Sequence, residues 1–155
     1  MNIAVGADHR GIAAARNVVE KLRREGHQVS LSEGCDGPSC DYPERAFPVA
    51  KAVAAGEADR GILICGTGIG MSIAANKVAG VRAAVVHDEL TAELSRSHND
   101  ANILCLSADL LGQRLIENIV DVFLRTSFEG GRHLRRVRKI GAIESGQDPA
   151  EVVEG

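Results

Sequence analysis

Short apolar runs alternate along the chain with longer segments whose apolar residues recur every three or four positions. The first run, Asn2–Ala7, is almost entirely apolar, which is typical of a strand buried on both faces of a sheet. The next segment, Gly11–Glu25, has helical spacing, and Gly26 follows it as a helix-ending glycine does. The alternation continues to about residue 143, so strands and helices are predicted to follow one another along nearly the whole chain.

This pattern predicts a single α/β domain over residues 1–144: a doubly wound, Rossmann-like fold whose five-stranded parallel sheet is flanked by helices, with an extra C-terminal helix. The predicted strands are Asn2–Ala7, His27–Leu31, Gly61–Cys65, Val81–Val86 and Asn102–Leu106. The predicted helices are Gly11–Glu25, Ala46–Ala55, Gly70–Val78, Glu89–Ser97, Leu110–Leu124 and Arg132–Ile143. A loop is predicted for Glu33–Pro43 and a loose tail for Ser145–Gly155.

Composition narrows the possible functions. A chain of 155 residues with 45% apolar residues suffices for one domain with a sizeable core. A net charge of −3 and an aromatic content of 3% argue against a nucleic-acid-binding surface. No apolar run approaches the roughly 20 residues that span a membrane, and the first residues lack the charged start of a signal peptide. We therefore expect a cytoplasmic protein with neither a nucleic-acid nor a membrane partner.

The four cysteines do not form C-x-x-C pairs. Cys35 and Cys40 alone could form a metal or disulfide pair, but no second pair supports a zinc site. We therefore expect free thiols, as in cytosolic proteins, and neither a metal nor a cofactor.

The segment from Ile62 to Ser72 carries the most specific chemistry. An apolar run ends at Cys65, the glycine-rich turn Gly66–Gly70 follows, and a helical pattern begins. Glycines let backbone amides crowd around an anion, and a helix start adds its positive end. Such surroundings should lower the pKa of the Cys65 thiol, although buried cysteines are often inert packing residues. The segment can therefore supply both a base and an oxyanion pocket.

Two nucleotide-binding motifs fit the same turn less well. A P-loop needs a Lys-Ser/Thr pair after its last glycine, where this chain has Met71-Ser72. A dinucleotide fingerprint needs its third glycine one residue beyond Gly70. Asp88 lies where a ribose-binding acid would fall, so an NAD site and a non-catalytic phosphate-binding module both stay open as alternatives.

Polar residues stand at the ends of other predicted elements. Asp8 and His9 follow the first strand, and His98 and Asn99 end a predicted helix. Because ligands of doubly wound sheets bind beyond the carboxyl ends of the strands, we expect these ends to converge with Cys65 on one pocket. Each group also has a structural alternative, since helix caps and solvated helix ends use the same residue types.

Arg132 and Arg136 are four residues apart and share one predicted helical face, with His133 beside them. A phosphate clamp and a solvated basic helix both explain this spacing. A thiol base, an amide-lined pocket, histidines and arginines together suit proton abstraction next to the carbonyl of a phosphorylated sugar.

In the order of its motifs, the chain resembles the ribose-5-phosphate isomerases of type B, whose superfamily includes the galactose-6-phosphate isomerase subunits. The matching segments are residues 6–11, 41–43, 61–70, 72–77, 94–100 and 129–133. The resemblance implies a metal-independent aldose–ketose isomerisation that interconverts D-ribose 5-phosphate and D-ribulose 5-phosphate through an enediolate. It also implies a homodimer or tetramer in which the last helix reaches the partner.

The resemblance assigns roles to individual residues. Cys65 moves the proton between C2 and C1, and His98 protonates the ring oxygen. Asp8 and Thr67 assist ring opening. The implied substrate-binding residues, which hold the enediolate, the sugar and the phosphate, are Gly66, Gly68, Ile69, Gly70, Asn99, Tyr42, His9, Arg132 and Arg136.

Three features depart from the family or from some of its members. Met71 stands where some relatives use a glutamate as base, so Cys65 is the candidate of the two. Asp109 stands where the family commonly has an arginine that reaches the neighbouring subunit's phosphate site, and the loop Gly34–Cys40 is unfamiliar. Since an acid there would repel a phosphate, either Asp109 pairs with a base such as Arg114 or an arginine of the last helix, or the enzyme prefers a different sugar.

Overall fold

The computed structural model of the chain describes residues 1–32 and 39–152. Most of the predicted loop Glu33–Pro43, including Cys35, lies outside the described residues, as does the end of the tail. None of the helices within the described ranges has the length and apolar character needed to cross a membrane.

The sheet consists of five parallel strands in the order β2-β1-β3-β5-β4. The strands are β1 (Asn2–Ala7), β2 (Gln28–Ser32), β3 (Arg60–Cys65), β4 (Ala83–Val85) and β5 (Ile103–Ser107). Because β2 lies on one side of β1 and β3 on the other, the strand order switches direction between β1 and β3. Such a switch point is where doubly wound sheets place their ligands.

Within the described ranges the chain forms six α-helices, five of which pack on the sheet, and the predicted fold class is confirmed. They are α1 (Ile12–Arg24), α2 (Tyr42–Ala54), α3 (Ile69–Ala75), α4 (Glu89–Ser97), α5 (Gln113–Arg125) and α6 (Arg132–Glu144). A short 3₁₀ helix, Pro149–Glu151, follows, and its Ala150 N–H donates to Asp148 Oδ1 over 2.8 Å. This part of the predicted loose tail is therefore an ordered turn, because Asp148 caps it as aspartate does at helix starts.

One predicted boundary is wrong in a way that matters for the site. We placed the start of the second helix at Ala46, whereas α2 begins at Tyr42. Asp41 is extended, and Pro43 occupies the first turn, where its missing N–H needs no partner. Tyr42 is therefore held on a helix and does not belong to a loop.

Two apolar layers enclose the sheet. One contains buried residues of α1, α4 and α5, and the other contains buried residues of α2 and α3. Side chains of β3 alternate between them, with Ile62 and Ile64 in the first and Leu63 and Cys65 in the second. Burying an aliphatic side chain of this size contributes about 1.5–3 kcal/mol, so β3 is fixed on both faces and holds whatever follows Cys65 in place.

Candidate active site

The glycine-rich turn begins where β3 ends. Gly68 has a left-handed backbone with φ of 77°, a conformation that favours glycine. A Cβ atom on Gly68 would lie 3.1 Å from the Leu106 backbone, so the turn passes tightly along β5. Glycine is required here both for its backbone angle and for this close approach.

Cys65 is held inside the turn. The residue is 4% exposed, and the Gly68 N–H donates to its Sγ over 3.1 Å. Cys105, on the neighbouring strand, is fully buried, and burial and then the nearby Cys65 raise the pKa of its thiol. Cys65 is therefore the better candidate base of the two free cysteines among the described residues.

Tyr42 and Thr67 border the same turn. The Tyr42 ring packs so closely on Gly70 that a Cβ atom there would lie 2.6 Å from the ring atoms Cε2 and Cζ. Thr67 is exposed, and its Oγ1 accepts from the Ile69 N–H over 3.3 Å. Both side chains can therefore reach a ligand that lies over the turn.

The end of β1 lies beside the end of β3. Asp8 is 6% exposed, and its Oδ1 accepts from the N–H groups of Arg10 at 2.9 Å and Gly11 at 3.0 Å. The carboxylate therefore fixes the turn that precedes α1, although the N-cap of that helix is Gly11 and not Asp8. His9 is exposed, and its Nδ1 accepts from the Cys40 N–H over 3.4 Å.

Cys40 corrects the expectation of free thiols. It is disulfide-bonded, whereas Cys65 and Cys105 are free. A disulfide forms only where the fold brings the Cβ atoms of two cysteines close together. The number and spacing of the cysteines do not determine that distance.

Asp109 does pair with a base, but the base is neither of those expected. Arg10 Nη2 lies 2.7 Å from Asp109 Oδ2, and Arg10 Nε donates to the same oxygen over 2.9 Å. This hydrogen bond is the main reason that the pKa of the Arg10 guanidinium is raised. The carboxylate of Asp109 is therefore part of an ion pair and is not an unpaired negative charge.

The acidic residue on which the NAD alternative depended, Asp88, also has a structural role. Asp88 caps α4, because its Oδ1 accepts from the Thr91 N–H over 2.7 Å. That hydrogen bond lowers the pKa of the Asp88 carboxyl, and the helix start accounts for the residue.

His98 and Asn99 lie at the opposite edge of the sheet from Cys65, so the predicted convergence within one chain is wrong. α4 ends at His98, and β5 begins only a few residues later at Ile103. Cys65 is paired with Ser107, at the other end of β5, about 13 Å away at the usual rise per residue. The physical reason is that a helix between parallel strands returns the chain to the starting edge.

The loop that carries Asn99 is fixed by ion pairs. Asp100 has a left-handed backbone with φ of 47°, which is uncommon for a residue other than glycine. Its carboxylate lies 3.0 Å from Arg82 and 2.7 Å from Arg96, and Arg96 is only 2% exposed. Sequence reasoning missed this pair of arginines, which lie on different elements.

At this amino edge, α6 meets the end of α4. The rings of His98 and His133 are stacked, with centroids 4.1 Å apart and planes 5° from parallel. Glu129 Oε2 lies 4.0 Å from His98 Nε2 and 3.6 Å from His133 Nε2. Burial, then the neighbouring His98 and Arg132, lower the pKa of His133. Arg132 and Arg136 are exposed on the same helix.

Glu129 was not among the predicted residues. Glu129 is four residues before His133, and this spacing was the one sign in the sequence that the two could meet. The sign is weak, because Glu129 lies outside the helix, which begins only at Arg132. Among the described residues, His98, Glu129 and His133 form the one group that could hold a metal ion, with ligand atoms within 4.8 Å of one another. Because the two rings are parallel, one would have to turn before both nitrogens could bind the same ion.

The predicted site residues thus fall into two groups. The carboxyl-edge group comprises Asp8, His9, Tyr42, Cys65, Gly66, Thr67, Gly68, Ile69 and Gly70. The amino-edge group comprises His98, Asn99, Arg132 and Arg136.

Comparisons with known proteins place this arrangement in a family. The family model described as Ribose/Galactose Isomerase matches residues 3–140. Ribose-5-phosphate isomerase B of Escherichia coli is 48% identical over 142 residues, covering 92% of this chain and 95% of that protein. The structure of Clostridium thermocellum ribose-5-phosphate isomerase B matches with a TM-score of 0.91 and 50% identity, covering 94% of this chain and 99% of the other.

A third match has a ligand. The structure of ribose-5-phosphate isomerase B from Mycoplasma genitalium with bound ribulose-5-phosphate is 44% identical, with a TM-score of 0.89, covering 93% of this chain and 96% of that one. These matches span nearly the whole chain and confirm the resemblance to type B ribose-5-phosphate isomerases. The chain therefore belongs to the ribose/galactose isomerase family and is a sugar-phosphate isomerase.

Proposed function

We propose that this isomerase interconverts D-ribose 5-phosphate and D-ribulose 5-phosphate. The observation that supports it most directly is the thiol of Cys65, which receives the Gly68 N–H within a glycine turn at the end of the central strand. The ribulose-5-phosphate bound to the Mycoplasma genitalium relative supports the choice of sugar.

The chemistry follows from the carboxyl-edge group. The Cys65 thiolate takes the proton from C2 of the open-chain aldose, and the electron pair moves onto the carbonyl oxygen to give an enediolate. The turn amides, together with Asn99 from the amino-edge group, stabilise that oxygen, since preformed donors are most effective where charge develops. The thiol then returns the proton to C1, while a proton moves between the two oxygens, which gives the ketose.

Ring opening and phosphate binding belong to the amino-edge group. His98 donates a proton to the ring oxygen, with Asp8 and Thr67 assisting from the other group. Arg132 and Arg136, joined by His9 from the carboxyl-edge group, hold the phosphate through charge-assisted hydrogen bonds.

Because the two groups stand at opposite edges of one sheet, we infer that each active site is shared between two copies of the chain. The carboxyl edge of one copy would face the amino edge of its partner. Exposed apolar residues beside the turn support this: Ile69 is 54% exposed, Ile73 59% and Leu110 69%. Large apolar side chains exposed on one face favour a protein interface. A homodimer is the commonest closed assembly, and two such dimers can pair into a tetramer.

Turnover tests the proposal directly. The purified protein is incubated with ribose 5-phosphate and with other aldose phosphates, and the ketose formed is measured by colour reaction. We expect the highest kcat/KM for ribose 5-phosphate. A higher kcat/KM for another sugar phosphate would make that sugar the substrate, which the family allows because its model covers ribose and galactose isomerases. The complete absence of turnover would favour a non-catalytic phosphate-binding module.

Complementation tests the shared site. Cys65→Ala and His98→Ala chains are each expected to be inactive, but a mixed dimer keeps one site with both residues intact. Random exchange between equal amounts should therefore restore about a quarter of wild-type activity for a two-fold dimer. The matched control mixes Cys65→Ala with Asp8→Asn, which both damage the carboxyl edge and should restore nothing. Recovery in neither mixture would place each site within a single chain.

Three further expectations stay predictions: a cytoplasmic location, a domain boundary near residue 144, and turnover without a metal ion. The last is checked by dialysis against a chelator, after which we expect kcat to be unchanged. Loss of kcat that a divalent ion restores would contradict it.

A further inference from the structure

The loop between α4 and β5 that carries Asn99 is held by its backbone from two sides. On one side, Arg82 Nε donates to the carbonyls of Asn99 over 3.2 Å and Asp100 over 3.0 Å. On the other side, the Asp100 N–H donates to the Arg96 carbonyl over 3.1 Å, and Arg96 Nη1 donates to the Ala101 carbonyl over 2.6 Å. The Asn99 side chain itself is exposed. The main chain of the loop is therefore fixed, while the amide of Asn99 is open to a ligand.

The carboxylate of Asp100 joins the two sides. Its Oδ2 accepts from Arg82 Nη2 over 3.0 Å, and its Oδ1 accepts from Arg96 Nη1 over 2.7 Å. Its backbone is left-handed, with φ of 47°, and aspartate is among the few residues besides glycine that adopt this conformation routinely. Because Arg82 directly precedes β4 and Arg96 lies in α4, one side chain connects a strand, a helix and the loop between α4 and β5.

The same carboxylate balances a cluster of positive charges. Arg96 is 2% exposed, and without Asp100 its guanidinium would lack a counter-charge in a buried place, which is strongly unfavourable. Arg60, at the start of β3, lies close enough to interact with both: burial and then Arg96 lower its pKa, and Asp100 acts in the opposite direction. Asp100 is therefore the acid that lets Arg82 and Arg96 converge on the loop.

We propose that Asp100 is a positioning residue for catalysis: by bridging Arg82 and Arg96, it orients Asn99 toward the developing enediolate oxygen. The role rests on the proposed function, in which Asn99 reaches from one copy of the chain to the glycine turn of its partner. A donor stabilises developing charge well only when it is oriented beforehand, and a displacement of about 1 Å can reduce a rate a hundredfold. A fixed backbone supplies that orientation, since only the side-chain torsions of Asn99 then have to be set.

Asp100→Asn tests this, because asparagine also tolerates the left-handed conformation but carries no charge. We expect kcat for ribose 5-phosphate to fall roughly 10- to 100-fold. KM should stay nearly unchanged, because the two arginines proposed to hold the phosphate are not altered. Arg82→Gln leaves the pair of Asp100 with Arg96 intact and should show the same split between kcat and KM, so it replaces Asp100→Asn if circular dichroism shows that variant unfolded. Wild-type kcat in the folded variants would overturn the inference.

A double variant separates positioning from a purely structural role. Asn99→Ala removes the donor itself and should lower kcat by roughly 10²–10³-fold, as the loss of an oxyanion donor does. If Asp100 acts through Asn99, the double variant Asn99→Ala/Asp100→Asn should be no slower than Asn99→Ala, whereas independent effects would multiply. The pair Asn99→Ala/Arg82→Gln gives the same comparison. Multiplied effects would show that the carboxylate does not act through Asn99, and the inference would be wrong.

Asp59→Asn is the matched control, because Asp59 is another carboxylate at the amino edge. It directly precedes β3, and its Oδ2 accepts from the Asn2 N–H over 2.7 Å. This variant should keep the kcat and KM of the wild type. A fall in kcat equal to that of Asp100→Asn would indicate a general effect of charge loss at this edge and would overturn the positioning role. A wild type inactive on every sugar phosphate would overturn the proposed function instead, and the positioning role with it.

Discussion

The carboxyl edge and the amino edge of the sheet hold their functional groups by different means. At the carboxyl edge, Cys65 is 4% exposed and is fixed by the backbone of a glycine turn at the end of a strand buried on both faces. At the amino edge, the His98 side chain is 36% exposed and is held by a ring stack and a carboxylate. The first group depends on main-chain geometry, and the second depends on side-chain contacts.

This difference matches the work that we propose for Cys65 on one edge and for Arg132 and Arg136 on the other. Proton transfer tolerates little displacement, since a shift of about 1 Å can reduce a rate a hundredfold. Phosphate binding by long arginine side chains tolerates more, because they can follow the ligand. We therefore expect substitution of Cys65 to lower kcat, and substitutions at the amino-edge arginines to raise KM.

The largest effect is expected from Cys65→Ala, which removes the proposed base. The value of kcat should fall by at least the roughly 10²–10⁴-fold that general acid–base catalysis supplies, with KM nearly unchanged. Ketose formation measures the rate, and circular dichroism checks the fold. Cys105→Ala is the control, since that thiol is buried on the neighbouring strand and has no proposed role. Near-normal turnover by Cys65→Ala would show that Cys65 is not the base, and the proposed division of roles between the two edges would be wrong.

A smaller effect, on binding, is expected from Arg132→Ala and Arg136→Ala. Each removes a hydrogen bond to a charged group, worth about 1.5–3 kcal/mol, so KM should rise roughly 10- to 100-fold while kcat changes little. Arg138→Ala, an exposed arginine two positions beyond Arg136, controls for the general loss of charge. A fall in kcat at constant KM would show that these two arginines act in the chemistry and do not serve as a phosphate clamp.

The smallest effect concerns stability against pH. Burial lowers the pKa of His133 in the folded chain, so the unfolded chain binds the proton more readily. The free energy of unfolding should therefore decrease as the pH falls below about 6.5, the ordinary histidine value. Denaturant titrations between pH 5 and pH 8 measure the slope, which His133→Gln should reduce. The exposed His87 is the control, and an equal reduction in His87→Gln would contradict the assignment.

The alternation of apolar runs was sufficient to predict the strands, the helices and the parallel sheet. The same alternation also places His98 at the amino edge, because a helix between parallel strands must end there. The prediction that His98 and Cys65 line one pocket of the same chain overlooked this. The start of α2 was missed because Pro43 was taken as a loop residue, although proline is favoured in the first turn of a helix.

Other features depend on contacts between distant parts of the chain. Arg10 and Asp109 are 99 positions apart, and only the strand order β1-β3-β5 brings them together. The stack of His98 on His133 likewise requires α6 to fold back onto the end of α4. Local pattern and spacing do not encode such pairings.

Helix α6 has one further consequence. Its buried residues are His133 and Ala142, so few apolar contacts hold it to the sheet, and its amides should exchange with solvent through local opening. A phosphate held by this helix would have to order it first, so measured affinity would include the helix's own stability. Gly141 has open space where a Cβ atom would stand, and alanine is favoured over glycine inside helices by about 0.5–1 kcal/mol. Under the proposed function, the solvent-exposed side of α6 would therefore change the affinity for phosphate without any change in the two arginines proposed to hold it.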